Sequence, residues 1–251
     1  FVTGPTGSGK TTTLYSTLKQ LATSEVNVCT IEDPIEMVEP SFNQMQIQAN
    51  IDVDFAQGVK AMLRQDPDII MIGEIRDLQT ADMAIQAALT GHLVLSTLHT
   101  NDAPSSVTRL IDLGVAPYMI SATVLGVMAQ RLVRTLCPNC KTATETDPQA
   151  WEELVRPFKM KMPATLYQPV GCLECRGTGY RGRMGVYETM PLRTTLKNHI
   201  TRGADLETLT RASLKEGMKP LRISGAIKVA KGLTTIEEVM RVTPSHDILM
   251  G

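Results

Sequence analysis

Residues 4–11 form the segment of this chain that most constrains its fold. They read GPTGSGKT and match the pattern G-x-x-x-x-G-K-[S/T] at every fixed position. Apolar residues precede the segment, and a helical pattern follows it. In that context the backbone N–H groups of the loop turn inward around a phosphate, and the N-terminus of the helix adds partial positive charge. The segment therefore predicts a nucleoside triphosphate site; the alternative is a chance glycine-rich turn.

Two side chains of this segment have specific expected roles. Lys10 reaches the β- and γ-phosphates, and the hydroxyl of Thr11 can ligate Mg²⁺. ATP and Mg²⁺ are therefore the predicted cofactors of this part of the chain. The predicted nucleotide contacts are Gly4, Thr6, Gly7, Ser8, Gly9, Lys10, Thr11 and Thr12.

Up to about residue 136, short apolar runs alternate with helical patterns. The apolar runs are residues 26–31, 69–72 and 93–97. The helical patterns are residues 10–21, 54–64, 77–89 and 105–113. Nearly continuous apolar strands separated by helices are typical of a parallel sheet with both faces covered. We therefore predict an α/β core in this part of the chain.

Beyond residue 136 the pattern changes twice. The next segment is punctuated by proline, glycine and cysteine, which predicts a small irregular module. Helical patterns return after Pro191, and Thr234 with Glu237 has the spacing of a helix-capping box. The chain is thus predicted to contain a core, a small module and a C-terminal helical subdomain. Their predicted ranges are 1–136, 137–188 and 189–251.

Four of the five cysteines form two C-x-x-C pairs. Four thiolates in two such pairs suit tetrahedral Zn²⁺, and a complete shell of four cysteines leaves no position open for a substrate. We therefore predict a structural zinc site; the alternative is four free thiols. Cys29 lies outside the pattern. The predicted zinc ligands are Cys137, Cys140, Cys172 and Cys175.

A phosphate loop requires acidic residues near its metal ion, and two apolar runs end in candidates. One run is followed by Gly73 and Glu74, so glycine stands where an ordinary Walker B pair has aspartate. Another run is followed by Glu32 and Asp33. Because neighbouring parallel strands end at the same edge of a sheet, these acids are expected beside the phosphates, where they could position the attacking water and hold Mg²⁺. Alternatively, Glu32 or Glu74 caps a helix, or Glu74 pairs with Arg76.

Two histidines flank the run 93–97. His99 follows its carboxyl end, where it could hydrogen-bond the γ-phosphate; the alternative is an ordinary turn residue. His92 follows a predicted helix end, so a structural role beside the helix C-terminus is the alternative to a functional one.

The charge balance argues against one class of function. The chain has 25 Lys+Arg against 26 Asp+Glu among 251 residues, a formal net charge of −1, so bulk polyanion binding is not predicted.

The longest mainly apolar stretch, 116–129, is shorter than the roughly 18 residues that a membrane span needs. No leader pattern is recognised, so a cytoplasmic location is expected. Because the chain starts at Phe1, only three residues before the loop, we expect a truncated N-terminus.

Three further motifs resemble those of one family, the bacterial ATPases of type II secretion and type IV pilus assembly. Residues 30–36, TIEDPIE, resemble its Asp box. Residues 64–77 resemble its atypical Walker B motif, including the glycine before glutamate, and residues 90–101 resemble its His box. Together with the phosphate loop, these ordered motifs extend the resemblance over nearly the whole chain.

The resemblance implies a RecA-like core in a homo-oligomeric, hexameric ring whose ATP cycle moves domains relative to one another. It implies that Glu74 is catalytic, that Glu32 and Asp33 serve the metal ion and water, and that His99 contacts the γ-phosphate. Thr11 is then the expected magnesium ligand, with Glu74 and Asp33 as further candidates. The family also has a preceding domain that contributes arginines to bound ATP, so residues 1–251 alone are predicted to bind ATP but hydrolyse it slowly.

The resemblance predicts an ATP-hydrolysing assembly motor of a type II secretion system, which drives pseudopilus assembly and protein export. Such a motor would act on a platform protein and so lie peripherally at the inner membrane. The alternative within the family is type IV pilus assembly; retraction ATPases are disfavoured because they lack the four cysteines. An alternative of another class is a zinc-containing nucleic-acid-binding protein that uses ATP as a conformational ligand, since the basic residues 176–185 follow the second cysteine pair. With a balanced net charge, direct nucleic-acid contact is not expected.

Overall fold

The computed structural model describes residues 1–245. Its strands are β1 (Val2–Thr3), β2 (Val28–Glu32), β3 (Asn43–Gln46), β4 (Ile69–Ile72), β5 (Leu93–Leu98), β6 (Gly126–Leu136), β7 (Thr142–Glu145), β8 (Thr165–Gln168) and β9 (Tyr180–Pro191). Its α-helices are α1 (Lys10–Leu21), α2 (Phe55–Met62), α3 (Leu78–Leu89), α4 (Pro104–Asp112), α5 (Pro117–Thr123), α6 (Pro148–Val155), α7 (Thr194–Thr201), α8 (Leu206–Lys215), α9 (Leu221–Ala230) and α10 (Ile236–Val242).

One mixed sheet organises the described part of the chain. Its strand order is β3-β2-β4-β5-β1-β6-β9, and β7 pairs with β8 in a separate small sheet. Every neighbouring pair in the large sheet is parallel except β6 and β9, which are antiparallel. The predicted α/β core with a parallel sheet is therefore confirmed. The short strand β1 lies between β5 and β6, so the phosphate loop leaves from the interior of the sheet.

Strand β4 shows how both faces of the sheet are covered. Ile69 and Met71 pack with the buried residues of α1, whereas Ile70 and Ile72 pack with those of α2 and α3. Successive side chains of a strand point to opposite faces, which explains why this run is apolar at every position. Burial of each such side chain contributes about 1.5–3 kcal/mol, so this strand anchors the edge at which the candidate site lies.

The predicted element bounds are close to those observed. The helix at 10–21 and the strand at 69–72 have the predicted limits, and the strand predicted at 26–31 begins at Val28 and includes Glu32. The predicted capping box is wrong by one residue. Thr235, not Thr234, caps α10 by accepting a hydrogen bond from the backbone N–H of Glu238 (3.3 Å). Thr234 instead donates to the carbonyl of Arg134, which docks this turn on β6.

The long antiparallel strand β9 connects the region of the cysteines to the C-terminal helices. It spans the boundary predicted at residue 188, so residues on both sides of that boundary share one strand of the large sheet. Helix α9 packs on β9, and α10 packs on β6. Residues 246–251 of the predicted helical subdomain lie outside the described residues, and the three-domain division remains a proposal. No helix within residues 1–245 is long and apolar enough to cross a membrane.

Glu238 fixes α10 to the sheet through a buried carboxylate. It is 2% exposed and accepts hydrogen bonds from the side chain of Arg134 (2.6 and 2.9 Å), from the backbone N–H of Arg134 (2.9 Å) and from Arg241 (3.0 Å). Burial alone would raise the pKa of Glu238, but the hydrogen bonds from the two arginines lower it to about 2. Because this pKa lies below the ordinary value of 4.5, the stabilisation is present above about pH 4.5 and is lost as the pH falls towards 2.

We predict that Glu238→Gln lowers the free energy of unfolding at neutral pH by about 1–3 kcal/mol, because it weakens charge-assisted hydrogen bonds in a buried position. Thermal and urea denaturation measure this change. The difference from the unmodified protein should shrink as the pH falls from 4.5 towards 2. Glu207→Gln is the matched control, since Glu207 forms an exposed pair with Arg211 and should change stability by less than about 0.5 kcal/mol. An equal loss in both variants would contradict the prediction.

Candidate functional site

The glycine-rich loop follows β1 and leads directly into α1. Gly9 is the residue before the helix and has a left-handed backbone conformation, with φ of 85°. A Cβ atom on Gly4 would lie 2.6 Å from the carbonyl oxygen of Gln130, and one on Gly9 would lie 2.8 Å from its side-chain nitrogen. Both positions therefore require glycine because the loop lies directly against β6. This packing holds the backbone N–H groups of the loop in place before any ligand binds.

Lys10 lies inside the loop that it follows. Its Nζ donates hydrogen bonds to the carbonyls of Gly4 (2.7 Å) and Pro5 (3.0 Å), and the residue is 9% exposed. Burial lowers the pKa of Lys10, and the nearby carboxylate of Glu74 acts in the opposite direction. An ammonium group held against a glycine-rich loop at the N-terminus of a helix is suited to binding the oxygens of a phosphate.

A cavity of about 420 Å³ adjoins the loop and contains most of the predicted site residues. The predicted residues that line it are Thr6, Gly7, Gly9, Lys10, Thr11, Thr12, Glu32, Asp33, Glu74 and His99. Gly4 and Ser8 are not among its lining residues. Gly4 supplies a carbonyl to Lys10, and the carbonyl of Ser8 accepts a hydrogen bond from Gln130 (2.8 Å), so both support the loop. The structure therefore brings the acids, His99 and the phosphate loop to one place.

Glu74 lies between a histidine and an arginine. His99 Nε2 is 2.8 Å from one carboxylate oxygen of Glu74, and Arg76 Nε binds the other. The ion pair with Arg76 that was the structural alternative for Glu74 is present, and the carboxylate still lines the cavity. Gly73 packs closely on β2, because a Cβ there would lie 3.2 Å from the carbonyl oxygen of Ile31. This contact is a physical reason for glycine at the position where aspartate is usual.

Glu32 is almost completely buried, although it was predicted to serve the metal ion and the attacking water. It is 3% exposed, and both of its oxygens accept from the hydroxyl of Tyr15 (2.6 and 2.7 Å), with a further bond from Thr30 (2.8 Å). Burial first, and then the neighbouring carboxylate, raise the pKa of Tyr15, so its phenol stays protonated as the donor. Asp33, the next residue, is exposed at the cavity. Of the two acids, Asp33 is therefore the one free to meet a ligand.

The donor set around the cavity fits a magnesium ion. Thr11, Asp33 and Glu74 offer one hydroxyl and two carboxylate groups within one lining, and Mg²⁺ prefers oxygen ligands supplied by a few carboxylates together with phosphates and water. His92 is not part of this set. Its Nδ1 contacts the carbonyl of Ala87 (2.8 Å) at the end of α3, which is the structural role considered from the sequence.

Sequence reasoning missed two kinds of site residue. Tyr15 lies on the buried side of α1, and its phenol on an otherwise apolar helix face was the available signal. Arg183 and Leu132 also line the cavity, from β9 and β6. No motif or spacing placed Arg183 beside the phosphate loop, because only the antiparallel pairing of β9 with β6 brings that residue to the site.

The four predicted zinc ligands form a compact cluster at the junction of β6 and β9. All four Sγ atoms lie within 4.8 Å of one another, with the separations Cys137–Cys172, Cys140–Cys175 and Cys172–Cys175 at 3.9, 3.8 and 3.7 Å. A tetrahedron with Zn–S bonds of about 2.3 Å has S···S edges of about 3.8 Å, so this geometry fits Zn²⁺ closely.

Backbone N–H groups also point at the cluster. Those of Cys172 and Gly179 donate to the Sγ of Cys175, each at 3.1 Å, and that of Gly171 donates to Cys140 (3.3 Å). Burial alone would raise the pKa of the Cys175 thiol, but these N–H groups and the neighbouring thiols lower it to about 6. Such donors stabilise thiolates, which are the form that binds zinc.

Comparisons with known proteins match nearly the whole chain. The profile of a family described as "Type II/IV secretion system protein" matches residues 1–241. The chain is 64% identical over 243 residues to the type IV pilus assembly ATPase TfpB of Acinetobacter baylyi, an alignment that covers 97% of this chain and 42% of that protein. It is 49% identical over 242 residues to the type II secretion system ATPase E of Vibrio cholerae, covering 96% and 48%. The chain spans less than half the length of these two relatives.

The fold is similar to solved structures as well. The crystal structure of the pilus retraction motor PilT with bound ADP superposes with a TM-score of 0.71 at 28% identity, covering 98% of this chain and 61% of that one. The ATPase DotB of Legionella pneumophila superposes with a TM-score of 0.69 at 25% identity, covering 96% and 58%.

We predict that the purified protein contains one zinc ion per chain and that a chelator lowers its melting temperature, because the metal joins the ends of β6 and β9. Elemental analysis and thermal denaturation with and without chelator measure these effects. Cys175→Ser should lose the metal, whereas Cys29→Ala, outside the cluster, should keep it. Full zinc content in the Cys175 variant would contradict the assignment.

Proposed function

Because the chain belongs to the type II/IV secretion system protein family, we propose that it is the ATP-hydrolysing part of a motor that assembles a filament of pilin-like subunits. One observation carries the proposal: a single cavity contains the phosphate loop, Lys10, Glu74, Asp33 and His99. A phosphate loop by itself supports nucleotide binding. The carboxylates and the histidine opposite it add the groups that hydrolysis needs.

The geometry supports a different chemical role for each of these residues. The loop N–H groups and Lys10 bind and orient the phosphates, and Glu74 acts as the base that orients the attacking water. Thr11 and Asp33 would hold Mg²⁺, which neutralises charge on the phosphates. Glu32, enclosed by Tyr15 and Thr30, is better placed to order the turn that carries Asp33 than to meet the nucleotide.

His99 has a role beside Glu74. Their contact of 2.8 Å places the imidazole next to the proposed base, and the half-exposed ring also faces the cavity. In that position His99 can orient the Glu74 carboxylate and hydrogen-bond the terminal phosphate when nucleotide is bound. Arg76 holds the other carboxylate oxygen, which leaves Glu74 with a fixed orientation.

Two machines are candidates for this motor. Type II secretion, in which the filament is a pseudopilus and the outcome is protein export, is supported by the 49% identity to the secretion ATPase of Vibrio cholerae. Type IV pilus assembly is favoured by the higher identity of 64% to the pilus assembly ATPase of Acinetobacter baylyi. A strain that lacks the ATPase of either machine should regain pili or protein secretion when the gene that encodes this chain is supplied, and the phenotype restored identifies the machine.

The proposal extends to assembly and location. We propose a homo-oligomer, a hexameric ring, that contacts a platform protein of the inner membrane and so works at the cytoplasmic face of that membrane. The family membership supports this arrangement. Light scattering of the protein with and without nucleotide tests the ring. An ATPase rate unchanged by single- or double-stranded DNA would separate the motor from a nucleic-acid-binding protein.

We predict that Glu74→Gln lowers kcat for ATP hydrolysis by about 10²–10⁴-fold while nucleotide binding persists, because the amide cannot accept the proton of the attacking water. Lys10→Ala should weaken nucleotide binding itself. Steady-state ATPase assays and titration with a fluorescent nucleotide measure the two effects. Glu207→Gln, on the exposed side of α8, is the control and should hydrolyse ATP normally. Near-normal turnover by the Glu74 variant would overturn its role as the base.

A further inference from the structure

The segment 99–103, here called the His99 loop, is held from inside the protein by residues of three strands. Thr3 of β1 accepts a hydrogen bond from the backbone N–H of Thr100 (2.9 Å). Arg131 of β6 donates to the carbonyl of Asn101 (2.7 Å). Glu188 of β9 accepts from the backbone N–H of Ala103 (2.7 Å). The position of His99 therefore depends on buried groups that none of the sequence motifs contains.

Arg131 holds a second element in addition to the His99 loop. Its Nε donates to the carbonyl of Val242 (3.0 Å), the last residue of α10. The last carbonyls of a helix have no partner within the helix and carry partial negative charge, so a buried guanidinium satisfies them well. Arg131 is 5% exposed and thus joins α10 to the His99 loop inside the protein.

Glu188 makes a similar connection through acceptor atoms, where Arg131 uses donors. One carboxylate oxygen binds the N–H of Ala103, which precedes α4, and the other accepts from the N–H of Leu221 (3.3 Å), the first residue of α9. The N-terminal N–H groups of helices carry partial positive charge, so one carboxylate satisfies two helix starts. Glu188 is 3% exposed, and burial raises its pKa to about 7 despite the opposing effects of these N–H groups and of Arg131.

The two side chains lie on the same face of the sheet. Arg131 is opposite Val186, and Glu188 is opposite Ala129, so they occupy diagonal positions of the β6–β9 pair. Each is a buried polar side chain that connects the region of the His99 loop to a C-terminal helix. Loss of either partner would leave a buried group without a hydrogen bond, at a cost of about 1–3 kcal/mol. Displacement of one end of either connection therefore acts on the hydrogen bond at its other end.

We propose that Arg131 and Glu188 are positioning residues that set the position of His99 and transmit its displacement on nucleotide binding to helices α9 and α10. The inference rests on the proposed function, because it gives the C-terminal helices a connection to the nucleotide cavity. By thermodynamic linkage the coupling acts in both directions, so the docking of these helices also affects the affinity for nucleotide.

A second buried contact in the same region provides a matched control. Glu238 docks α10 on β6 through Arg134 and has no hydrogen bond to the His99 loop. Glu188→Gln and Glu238→Gln are the same chemical change at two buried sites that both hold C-terminal helices. If loosening of the helices were the only consequence, the two variants would behave alike.

The experiment compares the unmodified protein with its Glu188→Gln, Arg131→Lys and Glu238→Gln variants. Hydrogen exchange of residues 99–103 and 221–223 is measured without nucleotide and with ADP and Mg²⁺, alongside kcat and KM for ATP. We expect Glu188→Gln to speed exchange in both segments about tenfold without nucleotide, because glutamine can accept from only one of the two N–H groups. We expect kcat to fall about tenfold or more while KM changes less than about twofold, because a displaced His99 misorients Glu74.

ADP should slow exchange at 221–223 in the unmodified protein, and both positioning variants should abolish that response while Glu238→Gln retains it. Arg131→Lys keeps the charge but loses the planar fork, so it tests the same link if the Glu188 variant does not fold. The inference is overturned if Glu188→Gln and Glu238→Gln have the same kcat. It is also overturned if the hydrogen-exchange rate of residues 221–223 in the unmodified protein does not change when ADP is added. Absence of ATP hydrolysis by the unmodified protein would instead refute the proposed function, while the exchange measured without nucleotide would still decide whether the two segments are coupled.

Discussion

The candidate site depends on the parallel alignment of β2, β4, β5 and β1 in one sheet. Parallel neighbours end at a common edge, so residues that follow each strand come together although they are far apart in the chain. Glu32, Glu74 and His99 each follow or end such a strand, and the phosphate loop follows β1. Burial of these strands on both faces makes the alignment rigid, so the distances within the cavity are set by the sheet.

The acids at this edge differ because their neighbours differ. Glu32 is enclosed by the hydroxyls of Tyr15 and Thr30, whereas Asp33 is exposed and Glu74 is held between His99 and Arg76. These three of the four carboxylates that line the cavity are thus suited to three tasks: ordering a turn, meeting a metal ion and activating water. Hydroxyl donors surround Glu32, a histidine and an arginine hold Glu74, and Asp33 is exposed to solvent. These different surroundings suit a site for hydrolysis rather than for binding alone.

The antiparallel strand β9 joins features that the chain keeps apart. It begins beside the cysteine cluster, brings Arg183 to the cavity, and carries Glu188 under the His99 loop. A zinc ion at the cluster would secure one end of the β6–β9 pair, and helices α9 and α10 pack on the same two strands. The cysteine cluster, the cavity and the C-terminal helices therefore all contact one antiparallel pair of strands.

The sequence by itself determined the phosphate loop, the α/β core, the tetracysteine cluster and the acids and histidine at the strand ends, because motif spacing and hydrophobic periodicity are local properties. It did not show that Tyr15 encloses Glu32, that Thr235 rather than Thr234 caps α10, or that Arg131 and Glu188 support the His99 loop. Only the tertiary structure decided these points. Each depends on contacts between residues far apart in the chain or on a one-residue choice of helix start, and both are settled by packing rather than by local pattern.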